Sequence, residues 1–172
     1  FDDSVTEYLG VPKAGNDWLK PTIKNAEGEI DDEVIYDLLV ELSEYKGSEI
    51  DMIIAGTTAY REYMTYLKTI GQIPVANLEL KGGFKALSFA FGNREIPIVY
   101  DKFAGTDEMI AVDTKMLELQ GMGGWDWMRY RDGSVFERIP GYPIYQAVLE
   151  KHCNLICKHP GGIGKIINCK SA

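Results

Sequence analysis

Hydrophobic positions in this chain change their spacing along its length, and each change marks a different kind of element. Over residues 31–46, Val34, Ile35, Leu38, Leu39, Leu42 and Tyr45 recur at helical spacing. Asp31 or Asp32 is placed to cap that helix, and Gly47 to stop it. Residues 51–54 (DMII) are a short apolar run of strand length. A second helix is predicted from Thr57 or Thr58 through Ile70, with Tyr60, Tyr63, Met64, Leu67 and Ile70 on its apolar side and Gly71 as its stop. Strand, turn and helix in this order imply a sheet with helices packed against it. Residues 71–83 carry Pro74, Asn77 and Gly82-Gly83 and read as a loop with a mobile tip.

From residue 84 the period falls to two. Segments 84–91 and 95–100 flank Gly92-Asn93, the signal of a tight hairpin. Leu87, Phe89 and Phe91 share a face, as do Ile96, Ile98 and Tyr100. Pro97 lacks an amide donor and points to an edge or a bulge. Residues 109–112 (MIAV) form a further strand, and Leu117 and Leu119 follow before Gly121, Gly123 and Gly124 break the pattern. Segments 125–131 and 134–139 flank Asp132-Gly133 and read as a second hairpin. A long extended run over 142–158 stops at Pro160-Gly161-Gly162. Residues 1–30 are punctuated too often by Pro, Gly and Asn for regular structure, although Val5, Tyr8, Leu9, Trp18, Leu19 and Ile23 can pin them to a core.

Charge sharpens this picture. The 172 residues carry a formal net charge of −8. Residues 1–50 hold 13 acids against 4 bases, and the remainder is close to neutral. Such a chain lacks the clustered Lys and Arg that grip a phosphate backbone. The acidic third is a solvated face or an electrostatic contact for a neighbouring subunit. Three cysteines (Cys153, Cys157 and Cys169) are too few for a disulfide framework and point to a reducing compartment. No apolar run reaches the roughly 18 residues of a membrane span. The first residues, FDDSVTEYLG, are acidic and lack the basic n-region of a signal peptide. The chain begins with Phe1 and not Met, so it is expected to be processed, truncated or the ordered part of something longer.

Four groups of residues are candidates for chemistry. Gly161-Gly162-Ile163-Gly164-Lys165 resembles the end of a phosphate-binding loop, but His159 stands where the first glycine belongs and Ile166 where a hydroxyl would hold magnesium. A turn is the better reading. His152, Cys153, Cys157 and His159 are metal-ligand types, yet no second pair accompanies them, so core packing is preferred to zinc. Asp101, Asp107, Glu108, Asp113 and Asp126 fall near predicted strand ends; two converging carboxylates would permit acid–base work, but turn formation is their ordinary role. Trp125 and Trp127, with Tyr130 nearby, can form a platform for a sugar or base, and a core or subunit contact is favoured over that. A Ser-His-Asp or Cys-His site finds few possible bases in two histidines seven residues apart.

The amphipathic helix of residues 31–46, followed in order by SEIDMIIAGTTAYREYM, KALSFAFGNREIPIVYDKFAGTDEMIAVDTKMLEL and YRDGSVFERIPGYPIYQAVLEKHCNLICKHPGGIGKI, resembles the tailed-phage major capsid protein family over about residues 31–167. The resemblance implies an α+β fold, with a mixed, mainly antiparallel sheet and two flanking helices like the capsid axial domain. Residues 1–30 would be an irregular N-terminal segment. Residues 31–172 would be the axial-like domain with C-terminal strands returning toward a peripheral domain. The long spine helix and extended loop of that family have no counterpart before residue 31, so they are expected upstream or this is a smaller relative. The implied role is structural: self-assembly through hexamer and pentamer contacts into an icosahedral phage or prophage head around packaged DNA. The implied location is the virion, after synthesis in a bacterial host cytoplasm. Nothing in the family implies a catalytic residue, cofactor, metal, small-molecule substrate, membrane or sequence-specific nucleic acid. An encapsulin-like compartment shell is the alternative within the fold. A carbohydrate-acting enzyme or binding module is the alternative outside it.

Overall fold

The computed structural model describes residues 5–71, 75–79 and 85–170. In chain order the elements are β1 (Glu7–Tyr8), β2 (Val11–Pro12), β3 (Thr22–Asn25), α1 (Asp32–Val40), β4 (Met52–Ala55), α2 (Thr57–Thr69), β5 (Val75–Glu79), β6 (Lys85–Phe91), β7 (Arg94–Tyr100) and β8 (Met109–Val112). Then follow β9 (Leu117–Gly121), β10 (Asp126–Trp127), β11 (Glu137–Arg138), β12 (Tyr145–Gln146), β13 (Leu149–Glu150), β14 (Cys153–Cys157) and β15 (Gly164–Ile167). They divide into two units: one runs to Met116 and resumes at His159, and the other is Leu117–Lys158.

The first unit holds a seven-stranded sheet in the order β3-β15-β8-β4-β7-β6-β5 among the described residues. The β3–β15 and β4–β7 pairs are parallel, and the other four are antiparallel. The fold is therefore α+β with a mixed, mainly antiparallel sheet and two helices, as the sequence implied.

Period-two alternation explains how the sheet builds its core. Leu87, Ile98, Ile53, Ala111, Gly164 and Thr22 stand opposite one another in register, forming one row across six strands. Every member of that row is buried. Residues shrink along it toward Gly164, where a side chain would collide with Leu38 and Leu42. The missing Cβ is what lets the segment carrying α1 lie directly on β15.

Helix α1 starts where Asp31 Oδ1 accepts the Val34 amide at 2.9 Å. Ile35, Leu38 and Leu39 are buried from it, as is Leu42 just beyond. From Glu41 to Tyr45 the helix widens to an i→i+5 turn, ended by Gly47 at φ +65°. The wider turn changes the angular step, so Tyr45, expected on the core face, projects into solvent. Helix α2 buries Ala59, Tyr63 and Leu67 at four-residue spacing. Its last expected core residue, Ile70, is exposed beyond the end of the helix.

Several elements differ from the sequence reading. Within 1–30, Thr22–Asn25 forms β3, because β15 supplies a parallel partner from 142 positions away in the Thr22–Gly164 pair. Val75–Glu79, read as part of a loop, is the strand β5 paired with β6, while 72–74 and 80–84 lie outside the described residues. Strand β7 is interior despite Pro97. Its ladder to β4 begins only at Ile98, so the missing donor falls where no pairing is required.

Candidate assembly surface

The second unit is a two-stranded ribbon. Its outgoing arm holds β9, β10 and β11, and its return arm holds β12, β13 and β14. The arms meet through β9–β14, β10–β13 and β11–β12, and the Ile139 amide donates to the Ile144 carbonyl at the tip. The expected hairpin of 125–131 against 134–139 is not formed. Asp132-Gly133 does turn the chain, with Gly133 at φ +82° and Asp132 Oδ1 accepting the Ser134 amide at 3.0 Å. That turn is a local bulge on one arm, because the flanking residues pair with the return arm instead. The extended run expected over 142–158 is correspondingly broken into three short strands.

This ribbon has almost no interior. Cys157 is its one buried residue. In the β9–β14 register Leu119 faces Leu155, and these two are 60% and 59% exposed. Glu118, Gln120, Asn154 and Ile156 take the opposite face, where Lys158 Nζ meets Glu118 at 2.7 Å. Further along, Trp127 faces Leu149, at 49% and 47% exposed. Phe136, Tyr142, Ile144 and Tyr145 are exposed near the tip. A lone two-stranded pair is marginal in water, so a ribbon carrying this much apolar surface gains by acquiring a partner.

Residues proposed for chemistry are each held in local structure. Pro160–Gly162 form a tight turn, and the absence of a side chain at Gly161 lets the Trp18 carbonyl approach. Lys165 lies in β15 and pairs with Glu108 at 2.8 Å. Their arrangement is a packed turn leading into a strand, without the helix N-terminus that a phosphate loop requires. His159 Nε2 lies 3.0 Å from the Lys46 carbonyl, and His152 Nε2 lies 3.7 Å from Glu150. Cys153 is exposed, and Cys157 and Cys169 are buried. Burial first, then the Asp107 and Glu108 charges, pushes the Cys169 thiol up to about 12. Among the described residues no three His, Cys, Asp or Glu side chains group as metal ligands.

Four of the five acids hold separate partners through their side chains, and Asp107 bonds through its backbone. Asp101 accepts the Phe103 amide, Asp113 is buried and accepts the Lys115 amide, and Asp126 accepts the Trp127 amide. Glu108 holds Lys165, and the Asp107 carbonyl accepts the Cys169 amide. Trp125 is exposed with Lys151 Nζ 5.8 Å from its ring centre, Trp127 sits in β10, and Tyr130 is half-buried.

An open groove of about 550 Å³ in the first unit is lined by Asp32, Glu33, Tyr36, Tyr63, Phe89 and Glu95, among others. Tyr63 donates to Asp32 at 2.8 Å. Desolvation, followed by that hydrogen bond and the Asp32 charge, holds the phenol well above its ordinary range. This tyrosine is locked into the groove wall as a neutral donor.

No family model matches the chain, and no curated protein does. Solved structures do. The holo-SrpI encapsulin complex from Synechococcus elongatus PCC 7942 superposes with a TM-score of 0.63 at 12% identity, covering 96% of this chain and 59% of the encapsulin. The cyanophage A-1(L) capsid asymmetric unit superposes with a TM-score of 0.60 at 13% identity, covering 95% of this chain and 55% of the capsid chain. The fold is thus the one shared by an encapsulin and a phage capsid protein. The chain spans between half and two thirds of the length of each.

Proposed function

We propose that this protein is a structural subunit that tiles with copies of itself into a closed shell. The observation that carries the reading is a likeness, over nearly the whole chain, to two proteins solved as an encapsulin complex and as a capsid asymmetric unit. Its chemistry is consistent with that role. The ribbon leaves Leu119, Trp127, Leu149 and Leu155 exposed, and such side chains suit a contact between copies. Large self-complementary surfaces are what a tiling subunit requires.

Within that class, the finer reading is a phage or prophage head subunit, assembled around packaged DNA. The likeness to the encapsulin supports a second reading, a compartment shell. Electron microscopy of the purified intact protein tests the common claim: closed particles are expected, and a monomer under all salt, pH and concentration conditions overturns it. Nuclease-protected DNA inside native particles selects the head reading. Particles filled with protein and free of DNA select the compartment.

A further inference from the structure

Two features of unlike charge stand unpartnered on the surface. The outer surface of α1 and its continuation carries Glu33, Asp37 and Glu44, all exposed. Their side chains make no ion pair or hydrogen bond among the described residues. Glu41, by contrast, is held by Lys24 at 2.7 Å. Exposed Tyr36 and Tyr45 accompany the free acids. The ribbon offers the opposite chemistry. Arg129 and Arg131 are exposed, and neither makes an ion pair or side-chain hydrogen bond among the described residues. They follow directly on the exposed Trp127–Leu149 tier. Guanidinium groups pair with carboxylates in a planar fork and also stack on tyrosine rings.

We infer that the ribbon of one copy, through Trp127, Leu149, Arg129 and Arg131, docks on the acidic, tyrosine-bearing surface of α1 in a second copy. The contact rests on the shell reading and gives it a specific partner surface. Apolar tiers supply the buried centre, and the arginines supply register and a salt-sensitive rim. Residues 1–50, which hold 13 acids against 4 bases, then act as an acceptor for a neighbour's arginines.

The test is a charge swap in the intact protein, read as particle yield by sedimentation and microscopy. Arg129→Glu with Arg131→Glu is expected to lower the yield at least tenfold. Adding Glu33→Arg and Asp37→Arg to that variant is expected to restore it to within about threefold of the parent. Unchanged yield in the first variant, or no recovery in the second, overturns the contact while leaving the shell reading intact. A parent protein that never assembles overturns the shell reading itself. A second measurement needs no ribbon variant. With Trp18→Phe, tryptophan emission is expected to shift to the blue on assembly, and no shift in assembled particles overturns burial of the ribbon.

Discussion

The two units of this protein use the same alternating strand code to opposite ends. In the first, alternate residues of six strands align into one buried row, and two helices cover it. In the second, alternation is equally clear at β9 and β14, but Leu119 and Leu155 face solvent. What separates them is the presence of a third element. A sheet with helices can close a core within one chain, whereas a two-stranded ribbon has only its own two arms. Apolar periodicity therefore marks a surface that must be covered, without stating whether the cover comes from the same chain.

Substitutions can break that contrast, beginning with the largest expected effect. Leu38→Ala removes a side chain buried against β15 and is expected to destabilise the first unit by about 2–5 kcal/mol in chemical denaturation. A loss below about 1 kcal/mol would show that this core is loosely packed.

Tyr63→Phe deletes the hydroxyl that donates to Asp32 and is expected to cost about 1 kcal/mol near neutrality. Its pH dependence is more telling. Because the folded phenol is held above its unfolded value, its contribution is complete below pH of about 10 and is lost as pH rises beyond it. Denaturation midpoints measured from pH 8 to 11 should fall for the parent and fall less steeply for Tyr63→Phe. Parallel curves would rule out Tyr63 as a source of alkaline sensitivity.

Asp31→Ala removes the cap of α1 and is expected to cost about 1 kcal/mol, with Asp31→Asn recovering most of it. The smallest effect belongs to the ribbon. Leu155→Ala should change the stability of the protein by less than about 0.5 kcal/mol, since its side chain is mainly in water. A penalty as large as that of Leu38→Ala would erase the distinction between the units.

Local signals were legible wherever the deciding partner lies nearby in sequence. A cap at Asp31 or Asp32, the Gly47 stop, the Gly92-Asn93 turn, the strand at 109–112 and, to within one residue, the strand Met52–Ala55 all follow from neighbouring residues. Misreadings arose where a distant partner decides. Thr22–Asn25 is extended because β15 lies beside it. Val75–Glu79 is an exception, since its partner β6 is the next strand in the chain and Pro74, Asn77 and Gly82-Gly83 give the segment a loop's composition. Pro97 was misleading because its tolerance depends on where the β4 ladder begins. Asp132-Gly133 turns the chain as its own residues dictate, yet no hairpin forms across it, since pairing of the outgoing with the return arm outweighs one local turn.

By itself, then, the sequence determined the periodicities, caps and turns, the acidic bias of the first 50 residues and the α+β class. Tertiary structure alone decided the order of the strands, the row of side chains that meets α1, and the fact that Leu119, Trp127, Leu149 and Leu155 remain in water. The physical reason is that spacing along a chain dictates which residues share a face, while burial depends on what else the fold brings to that face.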